Sequence, residues 1–307
     1  MFSWPDPGTR VTVRYRRPAG SVPPLTDAVG HLLAIDPMVR VRTKTGAVVE
    51  FAPSDAVALR VLTDTPIRTS QIRGLEHAAA AAWPGAEHTW LDGWLLRAVP
   101  LSGQSVGLAA NSAVPLDPSA HFSTVPAIVD WYRRRGLTPR LAVPDRVLAL
   151  PPGWTGERTE RVVVRGLSDV AAGETHPSIM LAPWPDAAWL RIAGGEIPLD
   201  VLTAVIDGEL VFGTHRGAVA ARAAVTEAPD GARWVGISVV RSADGADELS
   251  AADLCEALLA WGADRGATRG YMRVPDTGAA TLAGALRFRL HHRRRYVPVR
   301  PDVWDSV

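Results

Sequence analysis

Few residues of this chain could move a proton or act as a nucleophile near neutral pH, and they are scattered. His215 stands in a Thr214-His215-Arg216-Gly217 turn, and an imidazole with an ordinary pKa of ~6.5 suits base work. Glu196 in GGEIP and Asp207 in IDGE are carboxylates that would need a raised pKa or a water relay to do the same. Tyr271 in RGYMRV offers a phenol as an acid, or a core aromatic. Cys255 is the only cysteine. It falls inside an apolar helical run beside Leu254, so covalent catalysis through it is not expected. A single cysteine also excludes an intrachain disulfide and a thiolate-only metal site. His291 and His292 lie in a strand-like run and should face opposite sides; with no HExxH or CxxC spacing, no metal site is expected. Asn111, the only asparagine, reads either as a loop cap or as an amide lining an acceptor pocket between two lobes, where ligand sites often fall.

These groups need a scaffold, and the composition allows a sizeable one. The 307 residues are 47% apolar and 21% charged, with a formal net charge of +1. At roughly 150 residues per domain the length suggests about two domains. A near-neutral balance argues against a protein that coats nucleic acid. Lys44 is the only lysine among 33 basic residues. The start, MFSWPDPGTR, has no basic segment followed by an apolar one, and no stretch reaches the ~18 apolar residues of a membrane span. The expectation is a soluble, cytoplasmic protein.

Three segments follow from patterning: 1–64, 65–155 and 156–307. In the first, Val11, Val13 and Tyr15 alternate, as do Val39 and Val41, and then Val57, Leu59 and Val61, with a turn at Thr43–Gly46 leading into Ala47–Phe51. Period-two runs punctuated by turns indicate strands, and four or five in about 60 residues suggest a small barrel of SH3-like type. DTPIR (64–68) reads as a linker. Thr69 is placed to cap a helix over 71–82. Strand-like runs follow at 90–98 and 106–116, then a helix over 128–136 and a strand at 141–143. Residues 151–160 read as a break. The last segment gives strands at 209–213, 217–226 and 232–241, a helix over 250–265, a strand at 269–274, a short helix over 276–286 and a strand at 288–297. Three meandering strands, a crossover helix and a parallel strand make a mixed sheet.

Ile237–Arg265 (ISVVRSADGADELSAADLCEALLAWGADR), with GATRGYMRV and DTGAATLAGALRF after it, resembles the core of the GNAT superfamily of acyl-CoA-dependent N-acetyltransferases. WLDGWLLRA and ANSAVPL resemble the first lobe of two-lobed members. The whole chain is similar to actinobacterial GNAT proteins labelled N-acetylglutamate-synthase-like. The resemblance implies an α+β architecture: an SH3-like barrel, then a two-lobed acyltransferase fold with a splayed mixed sheet. It implies acetyl-CoA as co-substrate. Ile237 and Val239 match the strand that offers backbone partners to the pantetheine amides, and Arg241 follows them. Leu249, Ser250, Ala251 and Ala252 match the pyrophosphate-binding start of the helix, where unpartnered N–H groups favour an anion. Asp276, Leu282 and Ala283 match the second half of the site.

The chain departs from the family pattern. Leu249 stands where a glycine is usual, and Asp247 and Glu248 bring negative charge to the loop. Ser250-Ala-Ala-Asp253 reads as a capping box. The family's acidic tyrosine falls on Ala283. On the final strand Arg287, Arg289, His291, Arg293 and Arg295 alternate with Phe288, Leu290, His292, Arg294 and Tyr296. The first set forms a basic face that is either solvated or aimed at the CoA 3′-phosphate or an acidic acceptor. The reading is an N-acetyltransferase in which a small-molecule or peptide amine attacks the acetyl carbonyl directly. The rival is an acyl-CoA-binding sensor or adaptor whose barrel docks a protein partner.

Overall fold

The computed structural model describes residues 4–5, 7–62, 67–99, 108–170, 176–195, 197–243, 248–276 and 281–299. The chain forms two compact units, Met1–Ile67 and Arg68–Val307.

The first unit is a five-stranded antiparallel sheet of β1 (Arg10–Arg16), β2 (Leu25–Ala34), β3 (Val39–Thr43), β4 (Val48–Phe51) and β5 (Ala56–Val61), ordered β4-β3-β2-β1-β5. Alternate residues point inward, so Val11, Val13, Leu32, Val39, Val41 and Phe51 close a small core. Sequence patterning misses β2 because two of its inward positions are Ala28 and Gly30. At Gly30 a Cβ would collide with the Arg42 carbonyl, so the close approach of β3 requires glycine there.

The second unit contains α1 (Thr69–Ala81), β6 (Glu87–Leu91), β7 (Trp94–Ala98), β8 (Ala113–Pro115), α2 (Val125–Arg133), β9 (Arg140–Pro144) and β10 (Arg158–Gly166). It continues with β11 (Ile179–Ala182), α3 (Ala187–Ala193), α4 (Leu199–Leu202), β12 (Glu209–His215), β13 (Val219–Glu227), β14 (Arg233–Ser242), α5 (Glu248–Asp264), β15 (Arg269–Pro275), α6 (Thr281–Ala285) and β16 (Arg289–Pro298). All its strands join one sheet of eleven, ordered β11-β12-β13-β14-β15-β10-β16-β9-β8-β7-β6.

That order contains an internal repeat. β6, β7 and β8 are antiparallel neighbours, α2 crosses over, and β9 returns parallel to β8. β12, β13 and β14 do the same with α5 and β15. The strand that follows each set lies in the other half: β10 pairs with β15, and β16 pairs with β9. The two lobes therefore exchange their last strands and share one sheet.

α5 packs on one face through Leu254, Leu258 and Leu259, against Val219, Ala221, Ala223 and Val225 of β13. α1 covers the opposite face through Leu75, Ala78 and Ala79, against Trp234 and Tyr271. α3 and α4 cover that second face further along, against Phe212 and Ala220. The intervening residues of β13 alternate between these layers, which is why its run of small side chains is buried on both sides.

Several expectations are corrected. β10 begins at Arg158, inside the segment read as a break, and it sits in the middle of the sheet. α1 begins at Thr69 with Arg68 as its N-cap; the Gln71 side chain accepts the Arg68 N–H at 2.8 Å, so Thr69 is not the cap. α5 begins at Glu248. Ser250 and Asp253 are therefore inside the helix and cannot form the capping box. On the basic face of β16, Arg287, Arg289 and Arg293 are exposed, as one of its two readings expected, and Arg293 pairs with Asp276 and Arg295 with Asp145, both at 3.3 Å. Arg294, expected on the side that begins apolar, is buried against Glu76 at 2.9 Å.

Candidate functional site

The parallel pair at the centre of the second repeat opens into a wedge. β14 and β15 are paired at Trp234–Arg269, Val235–Gly270, Gly236–Tyr271 and Ile237–Met272, and the ladder ends there. Neither strand stops. β14 remains paired with β13 as far as Ser242, and β15 with β10 as far as Pro275. The facing edges of Ser238–Ser242 and Arg273–Pro275 thus diverge, and their backbone groups have no ladder partner across the gap. Buried backbone groups seek hydrogen bonds, so such a gap suits an amide-bearing ligand threaded between the strands.

A bulge sits where the wedge opens. Arg222 of β13 pairs with Ser238 and Ala220 with Arg241. Val239 and Val240 together face one residue of β13, and Val239 has φ +53°. A β-branched residue in the left-handed region is an outlier. Bulges re-aim groups and concentrate next to active sites, and such strain persists only where the surroundings over-determine it.

Around this wedge the candidate cofactor residues fall into place unevenly. Ile237 lies on the last rung with its side chain in the core beneath α5. Arg241 lies past the bulge and is exposed. Leu249 and Ser250 are in the first turn of α5; Leu249 is 74% exposed. Ala251 and Ala252 turn inward to the core under α5. Asp276, at the end of β15, pairs with Arg293 and, at 3.8 Å, with Arg161, so its charge is partly met. Ala283 is 4% exposed and packs beside Leu286 and Phe288, with Leu282 half-buried against the same cluster. Position 283 therefore points into the core. Asp247 and Glu196 lie outside the described residues.

The proposed acid and base are not brought together. His215 ends β12, at the same end of the sheet as the wedge. It alternates with Val211 and Gly213, whose neighbours are α5 residues, so it faces α5. It is 2% exposed, and its Nδ1 is buried without a hydrogen-bond partner among the described residues. Its ring stands 6.0 Å from that of His176. Tyr271 faces the other way, into the α1 layer; its ring fills the space over Gly236, and burial raises its pKa. The sheet separates the two side chains. Asp207 precedes β12, at the end of the sheet away from the wedge. Cys255 is buried under α5, and burial pushes its thiol up to about 12, so it holds no thiolate. Asn111 has a structural bond: its side-chain oxygen accepts the Val99 N–H at 2.8 Å.

Adjacent histidines do not face opposite sides here. Val162 of β10 pairs with His292 and Val163 with Leu290, leaving His291 as an extra bulged residue. Among the described residues no three His, Cys, Asp or Glu side chains are grouped to hold a metal, and no helix is long and apolar enough to cross a membrane.

Comparison with known proteins agrees with this architecture. A family model described as the C-terminal part of the probable histone acetyltransferase Rv0428c matches residues 69–297, and the Rv0428c N-terminal Sm-like domain matches residues 5–60. The chain belongs to the Rv0428c family. The first unit is accordingly an Sm-like small barrel, and the second, a mixed sheet with helices, is the family's C-terminal part. The probable histone acetyltransferase Rv0428c of Mycobacterium tuberculosis is 62% identical over 308 residues, covering 100% of both chains. Among solved structures, a GCN5-related N-acetyltransferase from Kribbella flavida has a TM-score of 0.49 at 14% identity, over 78% of this chain and 98% of its own. A putative GNAT-family acetyltransferase from Novosphingobium aromaticivorans has a TM-score of 0.47 at 18% identity, over 76% and 96%.

The parallel pair of the first repeat is shorter. β8 and β9 meet at a single pair, Ala113–Leu141. Leu95, Val114, Leu116, Ala142 and Tyr296 pack together as a buried cluster in this half of the sheet.

Proposed function

We propose that this chain is an acetyl-CoA-dependent N-acetyltransferase whose acceptor amine attacks the thioester carbonyl directly, at the β14–β15 wedge. The observation that carries the reading is the bulge at Val239, placed where the parallel ladder ends. The free edge of β14 would receive the pantetheine amides, and the N–H groups of the bulge would polarise the acetyl carbonyl. The acceptor nitrogen forms the C–N bond as the C–S bond breaks, and CoA leaves as a thiolate that takes its proton from water. The amine's surplus proton passes to a base. Glu196, which lies outside the described residues, is the carboxylate from the sequence reading that we put forward for that base. Arg241, exposed beside the mouth, suits the phosphates of CoA.

The name of the Mycobacterium tuberculosis relative supports an acceptor amine borne on a protein, and a small-molecule amine is the alternative acceptor. The Sm-like barrel would dock a partner. The core position of Ala283, which removes the expected acid, favours the second reading, an acyl-CoA-binding adaptor that does not turn over.

The test is thiol release from acetyl-CoA with a panel of free amines and lysine-bearing peptides, run beside a melting-temperature titration with CoA. Ligand that binds only the native state raises the melting temperature. A shift with amine-dependent thiol release supports the enzyme; a shift without release supports the adaptor. No shift at millimolar CoA overturns both.

A further inference from the structure

We propose that Arg222 is a positioning residue for the acyl-transfer site: it fixes the bulge at Val239 by tying Ser238 to the C-terminal ends of α1 and α4. The inference rests on the proposed acetyltransferase reading.

Arg222 is fully buried in the middle of β13. Its Nε donates to the Leu202 carbonyl at 2.7 Å, and its Nη2 donates to the carbonyls of Ala82 and Ala204, both at 2.9 Å. Its Nη1 approaches the Ser238 hydroxyl at 3.4 Å, and the guanidinium stacks on the Trp83 ring at 4.2 Å. Ser238 is the last residue before the bulge. One planar group thus joins the end of α1, the end of α4, and the strand that carries the strained valine. The last carbonyls of a helix lack intrahelical partners and favour a cation. No carboxylate pairs with Arg222 among the described residues. Burial lowers its pKa to about 9, which leaves it charged at neutral pH. A fixed positive charge behind the bulge favours negative charge developing on the acetyl oxygen.

The first repeat supplies a matched control. Arg97 of β7 is equally buried, and its Nη1 donates to the Trp83 carbonyl at 3.3 Å and its Nη2 to the Ser112 hydroxyl at 3.2 Å. It grips the same helix end, yet none of its hydrogen bonds reaches β14.

The experiment compares Arg222→Met, Arg222→Lys, Arg97→Met and Ser238→Ala in the full chain. It reads kcat, KM for acetyl-CoA, melting temperature, and hydrogen exchange of the Ser238–Val240 amides. Arg222→Met should lower kcat by about tenfold or more with KM changed less than about twofold, the pattern of an interaction felt in the transition state. Arg222→Lys should recover part of the loss. Ser238→Ala should lower kcat at an unchanged melting temperature. Arg97→Met should lower the melting temperature as Arg222→Met does, and leave kcat intact. Exchange at Ser238–Val240 should rise only in the Arg222 and Ser238 variants. Equal kcat losses for Arg97→Met and Arg222→Met, or unchanged exchange at the bulge, would overturn the proposal. If Arg222→Met does not fold, Arg222→Lys and Ser238→Ala decide it. A wild-type chain that acetylates no amine defeats the acetyltransferase reading instead, and the exchange data still judge whether Arg222 fixes the bulge.

Discussion

The Nδ1 atoms of His291 and His292 stand 2.8 Å apart, although consecutive residues of a regular strand point to opposite faces. The extra residue in β16 turns both rings to the α1 side. There His292 Nε2 lies 2.8 Å from Glu76 Oε1, and Glu76 Oε2 accepts from Arg294 at 2.9 Å. Arg294 also reaches Glu160 at 3.2 Å and Tyr296 at 2.6 Å. Two adjacent imidazoles can bond only if one donates and the other accepts, so this pair contains at least one neutral ring. Against the burial that would raise it, Arg294 and His292 hold the Glu76 carboxyl well below the ordinary range.

Acid should therefore loosen the junction between α1 and β16. Burial, aided by His292, pushes the His291 pKa down to about 4, whereas in the unfolded chain it is ~6.5. Between those values the unfolded state binds more protons, so stability is full above ~6.5 and is lost as pH falls towards 4. Glu76, depressed in the fold, adds a further loss at lower pH. Urea midpoints measured from about pH 7.5 down to about pH 4.5 should fall, and His291→Gln should flatten the curve. A pH-independent midpoint in the parent chain would show that His291 binds its proton equally well folded and unfolded.

Position 283 should reject a tyrosine. Its Cβ faces the core below α5, and forcing atoms into a packed core costs ~1–3 kcal/mol or more. Ala283→Tyr should lower the melting temperature and bring no gain in thiol release. On the same short helix, Gly284 is exposed, and a Cβ there meets nothing within 4 Å. Gly284→Ala should leave stability unchanged or slightly raised. Faster turnover in Ala283→Tyr would mean that the helix carries its acid position towards the wedge after all.

Tyr271→Phe separates an acid from a core aromatic. General acid catalysis is typically worth ~10²–10⁴-fold. With the ring packed over Gly236 and facing away from α5, removing the hydroxyl should change kcat by less than about threefold. A loss of a hundredfold or more, at an unchanged melting temperature, would restore Tyr271 to the chemistry.

The fragment Arg68–Val307 should fold and bind CoA without the barrel. It is a compact unit by itself, and every strand of the wedge lies in it. Calorimetry should give the fragment and the full chain dissociation constants within about threefold, less than a kcal/mol. A folded fragment that fails to bind would mean that the Sm-like unit contributes to the site.

What could be read beforehand follows the range of the interactions. Apart from β2, the barrel strands carry periodic patterns within short windows, as do α5 and β13–β15, so they were legible. The β16 bulge was not, because it depends on how β10 pairs with that strand, and β10 was itself hidden in a run with turn signals before it. The burial of Arg294 also escaped. Its partner Glu76 lies on α1, far away in sequence, and nothing local distinguishes a buried ion pair from a solvated arginine. The burial of Ala283 escaped for a simpler reason: motif alignment gives a position but not the direction of a side chain on a short helix.

The most direct test of the wedge as the acetyl-CoA site is an amide NMR titration of the full chain. On adding acetyl-CoA, the N–H signals of Ile237–Arg241 should move most. The corresponding segment of the first repeat, Ala113–Leu116, should stay in place because its side chains are packed in the core. Saturating acetyl-CoA that leaves Val239 and Val240 unmoved, or that shifts Ala113–Leu116 instead, would contradict the account.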